Sequence, residues 1–367
     1  MMRILKIATI AVLALVVVVS SGIFCASQYY TSQRGQGCAS CHEMASLTNA
    51  VHGSSHRNVG CLQCHALSLE TQLRHVRAHL SGKAPEAIHL RTADVLEMQK
   101  NCRNCHQKEY AEWQAGPHSA TYSRIFTNPA QNGKHFLIED CLRCHGMHFD
   151  GSVRDLVQPM NAKGPWKIVR AGFADQPTMP CSACHSIHAE GALSANPGGK
   201  IAASDAPAGN SLAFFDRRES QHFGVGILPM PAVFEKARAV KMSADPRIAL
   251  CAQCHAARQP ETGTDAATNH WGPQAGSGDD RTPTGVHEGL SCLACHGGHA
   301  ESAKASCKTC HGKTSECGLD VEKMDTTFLN AASPHNIHSV HCTDCHQNGI
   351  PKAKIPQQLS ARTPHAL

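Results

Sequence analysis

The sequence CASCHEM, residues 38–44, decides the fold. It contains the pattern C-x-x-C-H, which is typical of covalent attachment of a c-type haem, with the histidine bound to the iron. The pattern occurs nine times and uses eighteen of the twenty cysteines. We therefore predict nine covalently bound c-type haems.

Each motif supplies two cysteines for haem attachment and one histidine for the iron. The nine sites, in chain order, are Cys38, Cys41 and His42; Cys61, Cys64 and His65; Cys102, Cys105 and His106; Cys141, Cys144 and His145; Cys181, Cys184 and His185; Cys251, Cys254 and His255; Cys292, Cys295 and His296; Cys307, Cys310 and His311; and Cys342, Cys345 and His346. Disulfides would not require a histidine after every second cysteine, and zinc ribbons use C-x-x-C units in pairs. Haem accounts for the histidine and for the odd number of motifs.

Haem also accounts for the low aromatic content of 5%, because porphyrin faces can replace side chains in a core. We predict a mostly α fold with extensive irregular loops, that is, a nine-haem multihaem cytochrome c. Apolar residues at helical spacing predict a helix at LETQLRHVRAHLSG (69–82), with Gly82 as its C-terminal cap. A second helix is predicted at MPAVFEKARAVKMS (230–243).

The net charge of +5 does not indicate a nucleic-acid partner. Nine haems add about eighteen propionate charges and about nine positive charges on ferric irons, so the holoprotein would be near −4. We predict no interaction with nucleic acid.

The sequence of the first 30 residues predicts a membrane anchor. Arg3 and Lys6 precede an uncharged run at 7–26, long enough to span a bilayer, with Tyr29 and Tyr30 at its far end. A cleaved signal peptide is the alternative, although no A-x-A site is present. We predict a single-pass protein of the bacterial inner (cytoplasmic) membrane with its haem domain in the periplasm.

The motif spacing predicts three parts. These are a transmembrane anchor at 1–30, a tetrahaem domain at 31–150 and a pentahaem cytochrome domain at 151–367. The widest gap separates Cys181 from Cys251 and contains a Gly/Pro/Ala-rich candidate linker at 196–210.

Seventeen histidines lie outside the motifs and are candidates for the second axial position on iron. Those with the best local support are His56, His118, His148, His188, His299 and His338. Three of these, His148, His188 and His299, lie three residues after a motif histidine. His338 is chosen over His335 and His341, which precede the same last motif. Weaker candidates are His75, His79, His89, His222, His270 and His287.

Residues 1–150 resemble the NapC/NrfH-type membrane-bound quinol dehydrogenases, through the anchor, CASCHEM and SSHRNVGCLQCH. The resemblance implies that Met44, rather than the motif histidine, ligates the first haem, and that quinol binds nearby. Arg77 stands where the family has a lysine of the quinol pocket. Ala84 stands at the offset of an acidic residue, with Glu86 nearby. Candidate quinol-site residues are therefore Met44, Arg77 and Glu86. The rest of the chain resembles periplasmic multihaem cytochromes.

The favoured hypothesis is a membrane-anchored cytochrome that takes electrons from membrane quinol. It would conduct them along a series of haems to a redox partner protein, a periplasmic or outer-membrane cytochrome or reductase. The alternative is a terminal reductase of nitrite, hydroxylamine or another small oxyanion. A third reading is a soluble electron shuttle whose N-terminus has been removed.

Overall fold

The computed structural model describes residues 2–32, 36–65, 68–82, 90–134, 136–188, 212–217, 221–235, 237–255, 281–299, 307–312, 320–328 and 337–349. The linker predicted at 196–210 lies outside these ranges. So do five residues named above: Ala84, Glu86, His89, His270 and His335.

The described chain is mostly helical, with long irregular connections. The α-helices are α1 (Met2–Ser32), α2 (Ala45–Gly53), α3 (Cys61–Cys64), α4 (Leu69–Leu80), α5 (Thr92–Cys102), α6 (Gln107–Ala115), α7 (Tyr122–Phe126), α8 (Pro129–Asn132), α9 (Cys141–Cys144), α10 (Val153–Leu156), α11 (Arg247–His255), α12 (Cys292–Cys295), α13 (Cys307–Cys310), α14 (Val321–Phe328) and α15 (Cys342–Cys345). Short 3₁₀ helices lie at Gln36–Ser40, His42–Met44, Pro117–Ser119, Ala171–Phe173, Cys181–Ala183 and Val225–Ile227.

The strands of the described chain form four two-stranded sheets. Antiparallel pairs are β1 (Val157–Gln158) with β2 (Lys167–Ile168), β3 (Ala213–Asp216) with β4 (Gln221–Gly224), and β5 (Phe234–Glu235) with β6 (Arg238–Ala239). A parallel pair joins β7 (Thr284–Gly285) to β8 (Ser339–Val340). These sheets are too small to form a core of their own.

Helix α1 is long and apolar enough to cross a membrane. The candidate span is Arg3–Tyr30, its most apolar 18-residue window has a mean hydropathy of 2.6, and none of that window is buried against the rest of the described chain. Length and composition of this kind fit a membrane anchor and a signal sequence equally well.

The helix predicted at 69–82 is confirmed as α4. The Ser68 side chain accepts a hydrogen bond from the Thr71 backbone N–H, which caps the first turn. After the last turn, Gly82 has a φ of 63°, the left-handed conformation that glycine adopts without steric cost.

The prediction of a helix at 230–243 is wrong, because this segment forms the hairpin of β5 and β6. Val233 and Val240 are both buried, and the Val240 N–H donates to the Val233 carbonyl at 2.8 Å. Arg238 on β6 forms ion pairs with Glu235 and Glu288 at 2.8 Å each. Cross-strand pairing and burial of the two valines therefore outweigh the helical propensity of the intervening Glu, Lys and Arg.

Most of the buried aromatic side chains lie in one core near the fourth motif. Tyr122, Phe126, Phe149 and Trp166 pack with aliphatic side chains there. A second core contains Met147, Ala183, Phe214, Val225, Leu228 and Ala249. The first core joins residues on both sides of position 150, so packing is continuous across the predicted domain boundary. The division into three parts stays a prediction.

Leu156→Ala should destabilise the first core. The Leu156 side chain is 0% exposed, so its removal leaves a cavity and should lower the free energy of unfolding by about 2–5 kcal/mol. Chemical denaturation of the holoprotein, followed by circular dichroism, measures the change. Leu290→Ala is the matched control, because Leu290 is 44% exposed. Equal effects of the two variants would contradict the assignment of this core.

Candidate haem sites

The motifs share a backbone geometry that places their three functional side chains on one face. In seven of them the histidine N–H donates to the carbonyl of the first cysteine at 2.8–2.9 Å. These histidines are His65, His106, His145, His185, His296, His311 and His346. One helical turn brings positions i, i+3 and i+4 together. Both thiols and the imidazole can therefore reach one haem.

The first motif has a different turn. Here Cys41 N–H donates to the Cys38 carbonyl and Met44 N–H donates to the Cys41 carbonyl, at 3.2 and 3.0 Å. This is 3₁₀ rather than α-helical geometry. The Met44 residue lies in the 3₁₀ helix that begins at the motif histidine, His42.

Besides His42, whose ring faces that of His79 with centroids 5.5 Å apart, five motif histidines each face a histidine from elsewhere in the chain. The pairs, with the distances between ring centroids, are His106 with His56 (6.1 Å), His65 with His188 (6.0 Å), His255 with His118 (6.1 Å), His185 with His299 (6.1 Å), and His296 with His338 (6.1 Å). In every pair one partner belongs to a C-x-x-C-H motif and the other does not.

This spacing fits axial ligation of a haem iron. Two imidazoles on opposite sides of one iron have nitrogens about 4 Å apart, which places the ring centroids about 6 Å apart. Rings in van der Waals contact would lie closer when stacked. The cysteines also fit, because motif thiols such as those of Cys61 and Cys64 or of Cys181 and Cys184 are not joined in disulfides.

Burial keeps several of these imidazoles neutral. It lowers the pKa of His185 and of His188 to about 4 each, and it also lowers the pKa of His65 and His118. A neutral imidazole has a free lone pair and is the form that binds a metal.

His148 lies in a different environment from the other predicted ligands. Its ring stacks on Phe215 with centroids 4.1 Å apart, and its Nε2 lies 3.2 Å from the Ser182 hydroxyl. His222, next to Phe215, contacts the Ser182 carbonyl through its Nε2 at 2.8 Å. His148 and His188 both lie three residues after a motif histidine, but His148 packs on Phe215 whereas His188 faces the motif histidine His65.

Three other motif histidines have different surroundings. The His145 ring lies 6.5 Å from the Phe126 ring. His311 is close enough to His287 to lower the pKa of His287, in addition to the larger effect of burial. His346 is half-buried. Near this last motif, His341 contacts Glu235 through its Nε2 at 3.0 Å rather than facing a motif histidine.

At the first site, Glu43 and His79 are in contact, which the sequence analysis did not predict. The Glu43 carboxylate contacts His79 Nδ1 at 2.6 Å and His42 Nε2 at 3.4 Å. His79 lies in the last turn of α4. Hydrogen bonding to its own backbone and to His79 lowers the pKa of Glu43. Arg77 is exposed on the same helix, and Met44 is half-buried.

Met44 has a sequence counterpart at the fourth motif. Met147 also lies two residues after a motif histidine. It is 2% exposed and packs in the second core with Phe214 and Ala183. A methionine at this offset is therefore a core residue in one site, and the pattern alone does not identify an iron ligand.

The thiols of different motifs lie close to one another. Interacting pairs are Cys38 with Cys61, Cys64 with Cys102, Cys102 with Cys181, Cys184 with Cys251, Cys251 with Cys292, Cys295 with Cys310, and Cys144 with Cys254. Sites one, two, three, five, six, seven and eight are thus successive neighbours, and site four adjoins site six. This order differs from the order along the chain.

A comparison with protein families supports haem at two of these sites. Residues 101–164, which contain the third and fourth motifs, match the family described as cytochrome c554 and c-prime. The match indicates a c-type cytochrome with covalently bound haem that acts in electron transfer. No curated protein and no solved structure matches the chain.

Proposed function

We propose that this protein is a membrane-anchored nonahaem cytochrome. It accepts electrons from membrane quinol and conducts them to a periplasmic or outer-surface acceptor. The observation that carries the proposal is the set of five imidazole pairs at 6.0–6.1 Å, each joining a motif histidine to a histidine outside the motifs. Two imidazole ligands suit electron transfer better than catalysis, because they leave no open position on the iron.

The chain would hold each haem through the two cysteines and the histidine of one motif. The second ligands would be His188 for site two, His56 for site three, His299 for site five, His118 for site six and His338 for site seven. We assign His287 to site eight, because it interacts with His311. A bound haem would supply one-electron chemistry with little structural change.

The order of neighbouring thiols supports conduction through the protein. Sites that adjoin one another allow electrons to pass without a mobile carrier. Starting from the first motif, the series runs through sites two, three, five, six and seven to site eight. Because site four adjoins site six, it would lie on a branch. A redox partner protein would dock near one of the last sites.

The first site is the proposed point of quinol oxidation. Helix α1 would cross the cytoplasmic membrane and keep this site at the periplasmic surface. Oxidation of one quinol releases two electrons, which enter the haem series, and two protons, which leave to the periplasm. Met44 would ligate the first iron, and Arg77 would lie near the bound quinol.

A reconstitution experiment tests this function. The full-length protein should carry nine haems by intact mass, and a menaquinol analogue should reduce them in proteoliposomes. The competing explanation for paired thiols is disulfide formation, which would appear as missing haem mass and as thiols that resist alkylation until they are reduced. Nine haems that quinol does not reduce would leave the cytochrome assignment intact and overturn the quinol role.

A further inference from the structure

Helix α4 has an apolar stripe that the rest of the described chain does not cover. Leu69, Leu73, Val76 and Leu80 are 49%, 49%, 44% and 79% exposed. Their spacing of four, three and four residues puts them on one narrow face of the helix. A helix of a water-soluble domain would bury such a face against the core.

The neighbouring face of α4 is attached to α1 and to the first motif. The Ser27 hydroxyl, near the C-terminal end of α1, donates to Gln72 Oε1 at 3.3 Å. About two turns further along α4, His79 Nδ1 contacts Glu43 at 2.6 Å. Gln72 and His79 lie about 70–90° around the helix axis from the centre of the apolar stripe, both on the same side of it. The stripe is therefore held beside the end of α1.

Charge is distributed as expected for a helix at a lipid surface. Arg74 and Arg77 are exposed on α4, and Glu70 is its only acidic residue. An amphipathic helix with apolar residues on one face and basic residues on the other lies in the plane of the membrane interface. The two tyrosines at the end of α1, Tyr29 and Tyr30, are of the type enriched at that depth.

We propose that α4 is an interfacial helix whose apolar stripe lies in the periplasmic surface of the bilayer that α1 crosses. The occupant of this face is lipid, because the stripe lies beside the end of α1, and the most apolar window of α1 is not buried against the described chain. The inference rests on the proposed membrane anchor.

If α4 lies at the membrane interface, the contact between His79 and Glu43 holds the first motif at the membrane surface, where quinol is found.

Labelling from within the bilayer tests the proposal. The full-length holoprotein is reconstituted at about one chain per vesicle in phosphatidylcholine and phosphatidylglycerol, with a phospholipid that carries a diazirine in its acyl chain. After illumination, peptic peptides are analysed by mass spectrometry. Both α1 and α4 peptides should carry lipid. The double variant Leu73→Glu and Val76→Glu should reduce labelling of α4 by about tenfold or more and leave α1 labelled.

A control variant and three outcomes make the test decisive. Leu290→Glu changes a leucine of similar exposure outside α4 and should leave both labels unchanged, and the haem absorption spectrum checks folding of every variant. Labelling of α1 without α4 would overturn this proposal and keep the membrane anchor. Labelling of neither would overturn both. Lipid labelling of α4 that the Leu73→Glu and Val76→Glu double variant leaves unchanged would show that the stripe does not face lipid and would overturn the proposal.

Discussion

Replacing His188 with leucine is expected to convert one iron of the holoprotein from low spin to high spin. His188 faces the motif histidine His65 at 6.0 Å, and leucine cannot coordinate iron. About one ninth of the low-spin signal should therefore be lost, and a high-spin ferric signal should appear. Electron paramagnetic resonance of the oxidised protein measures both. Haem mass should stay unchanged, because attachment depends on Cys61 and Cys64.

His148→Leu is the matched control for this variant. His148 and His188 occupy the same position, three residues after a motif histidine, but the His148 ring stacks on Phe215. The control should keep every iron low-spin. If His148→Leu gave a high-spin signal and His188→Leu did not, the observed ring pairs would not identify the iron ligands and the proposed pairing would be refuted.

Replacing Met44 with leucine is expected to disturb the first haem and to slow quinol oxidation. Loss of the thioether removes an axial ligand that raises the potential of the iron relative to two imidazoles. Quinol-driven reduction in proteoliposomes should slow by roughly tenfold or more. The spectrum of one haem should change, and those of the other eight should not. Magnetic circular dichroism and the rate of reduction by a menaquinol analogue provide the two measurements.

Met147→Leu is the control for the methionine pattern. Met147 has the same offset from its motif histidine, but it is buried in a core, where leucine of similar volume costs less than about 1.5 kcal/mol. It should affect neither the haem spectrum nor quinol oxidation. An unchanged spectrum and rate in Met44→Leu would show that Met44 is a packing residue and that His42 keeps the iron.

Haem attachment could be predicted from the sequence because its chemistry is local. The cysteines and histidine of a motif lie within five residues, and one turn of backbone is enough to bring them together, as at Cys61–Cys64 and Cys292–Cys295. The same is true of α4, where apolar spacing and the C-terminal Gly82 define the helix within the fourteen residues 69–82. Residues 230–243 were predicted to be a helix but form the β5–β6 hairpin. The prediction failed because the burial of Val233 and Val240 depends on residues from other parts of the chain that cover them.

The amino-acid sequence alone indicates nine attachment motifs, a mostly helical fold and one long apolar segment. The pairing of the histidines depends on the folded chain. His65 and His188 lie far apart in the chain, and the path between them, rather than any local spacing, brings their rings to 6.0 Å. The contrast between His148 and His188 gives the reason. Covalent haem attachment requires residues that are neighbours in sequence. The second axial ligand of the iron comes from residues that are neighbours only in the folded chain, so two histidines with the same local spacing can have different partners.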